Sequence, residues 1–190
     1  MRSFKNDNAF TGLEAAIVLI AFVVVAAVFS YVVLGAGFFT TQKSQEVVHT
    51  GVQQASSTLE IVGNVYGTAP TAGASITVIN FTAALAPGGT PVDFDKVVLT
   101  YSNATQLQTL TQAAKGTEPN AGQWGIAAVQ NQITDDSVLE RGEQFDIMAK
   151  PTNGITKNDY FSLEVKPSIG AALGITRTAP ASIQQINILY

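Results

Sequence analysis

The sequence predicts an α+β protein, with one long hydrophobic N-terminal α-helix followed by an antiparallel β-sandwich of immunoglobulin-like kind. Three observations carry that prediction. Residues 15–42 contain no Asp, Glu, Lys or Arg, and a helix needs only about 20 apolar residues to span a bilayer. From residue 59 onward the hydrophobic period changes to two, the mark of half-buried strands. Those alternating runs are short, regularly spaced and separated by Gly, Pro and Asn turns. The expected division is a polar leader at 1–9, a helix at 10–57 and a β domain at 58–190.

Composition narrows the function classes. The formal charge of the 190 residues is −4 and no cluster of Lys and Arg occurs, which argues against a nucleic-acid partner, since phosphate binding needs concentrated positive charge. Without cysteine there are no disulfides and no thiolate metal sites, so packing alone must hold the fold.

The leader places Arg2 and Lys5 ahead of the apolar run. A secretory signal peptide has an apolar core of about 7–15 residues with a small-residue cleavage site after it. Here the uncharged run is about twice that long and no such site follows it. Cleavage ahead of the run, after Ala9, would instead leave the hydrophobic helix on the mature chain with Phe10 as its first residue.

Glu14 is the one charge at the mouth of the apolar run, where it favours a helix N-terminus through the macrodipole. Thr11 and Glu14 also have the T-x-x-E spacing of a capping box. Gly35 and Gly37 lie inside the run, and small residues there permit close approach of another helix. Beyond it, Val48, Val52, Ala55 and Leu59 recur as one stripe of an amphipathic helix, with Gly51 a point of weakness. A helix over residues 11–57 measures about 70 Å at 1.5 Å per residue.

The strands follow by alternation. Phe161, Leu163 and Val165 alternate with Ser162, Glu164 and Lys166. Phe145, Ile147 and Ala149 do so with Asp146, Met148 and Lys150, as do Val97, Leu99 and Tyr101 with their neighbours. Further strands are expected at 59–66, 75–83, 124–130, 171–176 and 183–189. Pro87-Gly88-Gly89, Pro119-Asn120, Arg141-Gly142 and Asn153-Gly154 punctuate them.

A search for catalytic chemistry returns nothing. His49 is the only histidine and sits in the helical segment, away from any nucleophile, so no Ser-His-Asp set exists. Gly35-Ala36-Gly37 lacks the lysine of a phosphate loop. No catalytic residue, cofactor or metal site is expected. Asp135, Asp136, Glu140, Glu143 and Asp146 form an acidic turn that is read as solvated, with calcium coordination as the alternative. Two sequons, at Asn80 and Asn103, are candidate glycosylation sites. Composition alone yields about as many, and Asn103, at a strand end, is the better exposed candidate.

The junction Ala9-Phe10-Thr11-Gly12-Leu13-Glu14 resembles that of type IV pilin-like precursors. With the apolar run that follows, with the segment at 56–67 and with Thr176-Arg177-Thr178-Ala179-Pro180, it is similar to the archaellins, the filament subunits of the archaeal motility organelle. Ala9 departs from the glycine more usual before the cut. The resemblance implies cleavage between Ala9 and Phe10 by a membrane-embedded prepilin-type peptidase. It also implies a helical homopolymer whose assembly residues are Phe10, Gly12, Glu14, Gly35 and Gly37. Glu14 would then pair with the new α-amino group of a neighbouring subunit. The precursor would sit in the cytoplasmic membrane, and a separate assembly platform would build an extracellular surface filament, often N-glycosylated. The alternatives are a non-rotating adhesive archaeal type IV pilus and a single-pass membrane protein displaying a β-sandwich binding domain.

Overall fold

Val and Ile fill much of the apolar run, and both lose side-chain freedom in a helix. Where water is absent, however, a helix is the one single-chain conformation that satisfies every backbone N–H and C=O internally. The computed structural model describes residues 7–190, so Arg2 and Lys5 lie outside the described residues. Its first element, α1, spans Asp7–Ser56, 50 residues, or about 75 Å. It runs unbroken through Gly51. Thr11 lies inside α1 and not at its start, so it is not the N-cap of this helix. The stripe expected to end on Leu59 stops earlier, because Leu59 is the first, buried residue of the next strand.

Eleven strands follow: β1 (Leu59–Thr68), β2 (Val78–Leu85), β3 (Val92–Asp93), β4 (Val98–Asn103), β5 (Leu107–Gln112), β6 (Gln123–Gln130), β7 (Val138–Leu139), β8 (Gln144–Lys150), β9 (Tyr160–Lys166), β10 (Leu173–Thr178) and β11 (Ile186–Leu189). Nine of them form one sheet in the order β10-β9-β4-β5-β6-β8-β2-β1-β11, while β3 and β7 pair separately. The β5–β6 pair is parallel, over Thr111 with Gln123 and Gln112 with Trp124. It joins two antiparallel halves, β10-β9-β4-β5 and β6-β8-β2-β1-β11. The two outer edges also meet, where the Thr178 N–H donates to the Tyr190 carbonyl at 2.7 Å.

Each half turns one face inward, as the alternation requires. Phe161, Leu163 and Val165 from one half and Phe145, Ile147 and Ala149 from the other belong to one buried cluster. Phe94 packs edge-on against Trp124 with centroids 6.3 Å apart, and Tyr101 stacks on Phe161 at 6.0 Å. The chain divides between residues 50 and 51 into two compact units. The last turn of α1 therefore groups with the strands.

Candidate assembly surface

Every side chain from residue 11 to residue 52 is exposed. Phe22 is 71% exposed and Tyr31 80%, and Val, Ile, Leu and Phe continue the pattern on all sides of α1. Soluble monomers rarely expose contiguous apolar patches beyond a few hundred Å². The helix is also long and apolar enough to cross a membrane. Hydrophobic on all sides, it needs an apolar environment.

Two of the hydroxyls on this surface, those of Thr40 and Thr41, bond within the helix. Thr40 donates to the Ala36 carbonyl at 2.8 Å and Thr41 to the Gly37 carbonyl at 2.9 Å. Both satisfy their donors on the helix's own backbone, so burial of these two threonines against apolar neighbours leaves neither hydroxyl hydrogen unpaired. The sequence reading missed this pair. The i−4 spacing from each Thr to the small residues Ala36 and Gly37 was the available signal.

The predicted assembly residues fall on this surface. The Ala9–Phe10 bond lies in the first turn of α1. Gly12, Gly35 and Gly37 are exposed, and a Cβ built on any of them meets nothing within 4 Å. Their smallness therefore serves no packing inside the described chain. Glu14 is exposed and borders a shallow apolar groove with Ala15, Val18, Leu19 and Phe22. The next ionic group along α1 is Lys43, which pairs with Glu46 at 2.5 Å on the solvated part of the helix. His49 lies beyond that pair and is exposed.

The acidic turn resolves into separate roles. Glu143 is buried, its Oε1 accepting from the Ile133 N–H at 2.6 Å and its Oε2 from the Glu140 N–H at 2.9 Å. It pins the loop before β8. Asp135 pairs with Lys115 at 2.9 Å, which holds its carboxyl below the usual range with help from Gln132. Asp136 accepts from the Val138 N–H at 2.9 Å. Asp146 accepts from Thr82 at 2.6 Å and from Gln130 at 2.9 Å. Among the described residues no three His, Asp or Glu side chains converge as metal ligands.

The two sequons differ in setting. Asn80 lies mid-strand in β2, between Tyr66 of β1 and Met148 of β8, and its Nδ2 donates to Thr68 Oγ1 at 3.0 Å. Asn103 ends β4, and its Oδ1 accepts from the N–H and the hydroxyl of Thr105, both at 3.0 Å, and from the Gln106 N–H at 2.8 Å. Ala104 and Thr105 beside it are exposed.

Comparison with known proteins bears on this surface. The sequence profile of archaeal-type flagellins matches residues 9–177. A protein named Probable flagellin 1 of Archaeoglobus fulgidus is 43% identical over 199 aligned residues, covering 100% of this chain and 98% of that protein. The solved structure of the archaeal flagellum of Methanospirillum hungatei strain JF1 matches with a TM-score of 0.74 at 35% identity, over 94% of this chain and 99% of that one. Archaeal flagellin FlaB1 of Methanocaldococcus jannaschii matches at a TM-score of 0.55 and 18% identity, over 69% of this chain and 95% of that one, a likeness of fold alone.

Proposed function

The chain belongs to the archaeal-type flagellin family and is a non-enzymatic subunit of an extracellular motility filament; from that premise we propose how it is made and held in the polymer. The precursor rests in the cytoplasmic membrane through α1. A prepilin-type peptidase cuts between Ala9 and Phe10, and a separate platform delivers the mature chain to the filament. There the α1 helices bury one another and the β domains form the outer shell.

The observation that carries this reading is the exposed, uncharged and predominantly apolar surface of residues 15–42. At about 25 cal/mol per Å² of apolar area removed from water, covering such a helix supplies a large driving force for polymerisation. Gly12, Gly35 and Gly37 let neighbouring backbones approach closely. Glu14 enters the same apolar environment, where an unpaired carboxylate is costly. The α-amino group freed at Phe10 of a neighbouring copy compensates it and fixes the axial register. The match to an archaeal flagellum over nearly the whole chain favours this reading over an adhesive pilus.

The intact mass and N-terminal sequence of material sheared from cells test it. A chain beginning at Phe10 is expected in the sheared fraction. A chain still beginning at Met1, confined to membranes, would overturn both processing and export. The same spectra weigh the sequons. Sugar is proposed at Asn103, whose neighbours are exposed, and at Asn80, whose Nδ2 must first leave Thr68.

A further inference from the structure

The β domain has an unpartnered apolar face of its own. Alternation turns Ile186, Ile188 and Tyr190 outward from β11, while Asn187 and Leu189 are buried. Tyr66 of β1 stands opposite Ile188 in the ladder, and Val62 lies further along β1. Ile186 is 71% exposed, Tyr190 79% and Tyr66 39%. β11 is an edge of the sheet, and residues 178–190 contain no charged side chain. Edge strands are ordinarily kept from pairing by charge, proline or a bulge. The opposite edge has such protection, with Arg177 on β10 and exposed Glu164 and Lys166 on the adjoining β9. The β11 row carries no such charge, and only its Tyr190 carbonyl is met by β10, through the Thr178 N–H.

We propose that this row on β11 and β1 is a second contact between subunits, seated against a neighbouring copy of this chain. The proposal rests on the filament reading, which places copies side by side. Residues 57 and 58 are the whole connection between α1 and β1, so the β1 strand of each copy is tethered to its α1 and is carried with it into the polymer. Size argues for a contact that works only within the polymer. A stable interface between free proteins takes about 800 Å² per partner, more than five side chains supply. The row therefore reinforces a filament that α1 holds together and makes no dimer alone. Asn80 lies opposite Tyr66 on the next strand, so a sugar there is the competing cover for the same face.

The chain's lack of cysteine makes the test direct. Filaments are prepared from cells whose only copy of the subunit carries Ile186→Cys, or Tyr190→Cys should the first not assemble. Leu107→Cys, on β5 and 77% exposed, reports reagent access. Maleimide labelling of intact filaments is compared with labelling after dissolution in detergent. The Ile186→Cys thiol is expected to react at least tenfold more slowly in filaments, with little change for Leu107→Cys. A maleimide–benzophenone probe on that thiol should join two copies of the chain. Equal labelling in both states, or equal slowing at both thiols, would overturn the proposal. So would protection that disappears when Asn80→Gln is added, because sugar would then be the cover. Sheared native material without filaments would instead overturn the filament reading itself.

Discussion

Tyr101 is fully buried, and among the described residues its hydroxyl has no hydrogen-bond partner. Burial pushes its pKa up to about 12, with the Asp159 charge adding to the effect; the Gln106 and Asn103 side chains oppose it. An acid whose folded pKa is raised contributes stability that is full below its unfolded pKa of about 10 and is lost as pH rises toward the folded value. Stability should therefore fall between pH 10 and 12, by about 2 kcal/mol from this group. Tyr101→Phe should flatten that part of the curve and cost little at neutral pH, because no hydrogen bond is lost. Urea midpoints of the full chain in detergent, taken across that range, decide the matter; an unchanged alkaline slope in the variant would exonerate Tyr101. Gly170 is the second sensitive residue. Its φ is +114°, and an added Cβ would overlap the Ser57 carbonyl oxygen. Ser57 itself is buried, accepts from the Ala171 N–H at 3.2 Å and bonds Thr90 through its hydroxyl. This knot ties the end of α1 to the loop before β10. Gly170→Ala should cost about 2–4 kcal/mol through strain and displacement, visible as a lower denaturant midpoint.

At the scale of elements, a long apolar helix with unused glycines makes a different demand. A Cβ added at Gly35 or Gly37 meets nothing within 4 Å, so Gly35→Val or Gly37→Val should leave the β domain as stable as before. Filament yield in sheared fractions should drop several-fold, since close helix approach is lost; normal yield with normal filament length would remove these glycines from the interface. The helix and most strands were legible because burial imprints a period on the chain. Phe161, Leu163 and Val165 are fully buried, as their alternation requires. β5 was not legible, because in Leu107–Gln112 only Leu110 is buried and Leu107 is 77% exposed. Pairing with β4 holds that strand, and no local signal announces it. β3 and β7, two residues each, are likewise products of tertiary pairing. β11 starts at Ile186, later than the alternation suggests. Gln184 first donates to Asn187 Oδ1 at 2.8 Å in a turn, while Asn187 Nδ2 reaches the Gly67 carbonyl at 3.2 Å. The exposed apolar surface of α1 was readable from the absence of charge alone. The role of Glu143 was not, since only the folded loop brings the Ile133 and Glu140 N–H groups to its carboxylate.

For the whole molecule, the division at residue 50 separates two kinds of stability. Residues 51–190 hold a buried core of their own, whereas the apolar part of α1 buries nothing within the chain. The helix is therefore stabilised by its surroundings, whether lipid, detergent or neighbouring copies, and the β domain by its own packing. Trp124 is the chain's only tryptophan and is 1% exposed in the β core, against Phe94. Its fluorescence consequently reports the β domain alone, while circular dichroism at the helix band is dominated by α1. Heating the detergent-dissolved chain should give two separate events. Trp124 emission should shift to the red in one cooperative step as the β core opens, and the helical signal should persist beyond it, because detergent still satisfies α1. In intact filaments the helices rely on one another, so detergent should dissolve the polymer at a temperature where Trp124 remains blue-shifted. A single transition that carries both signals together in detergent would mean that the two units stabilise each other, and the separation of polymer core from shell would have to be abandoned.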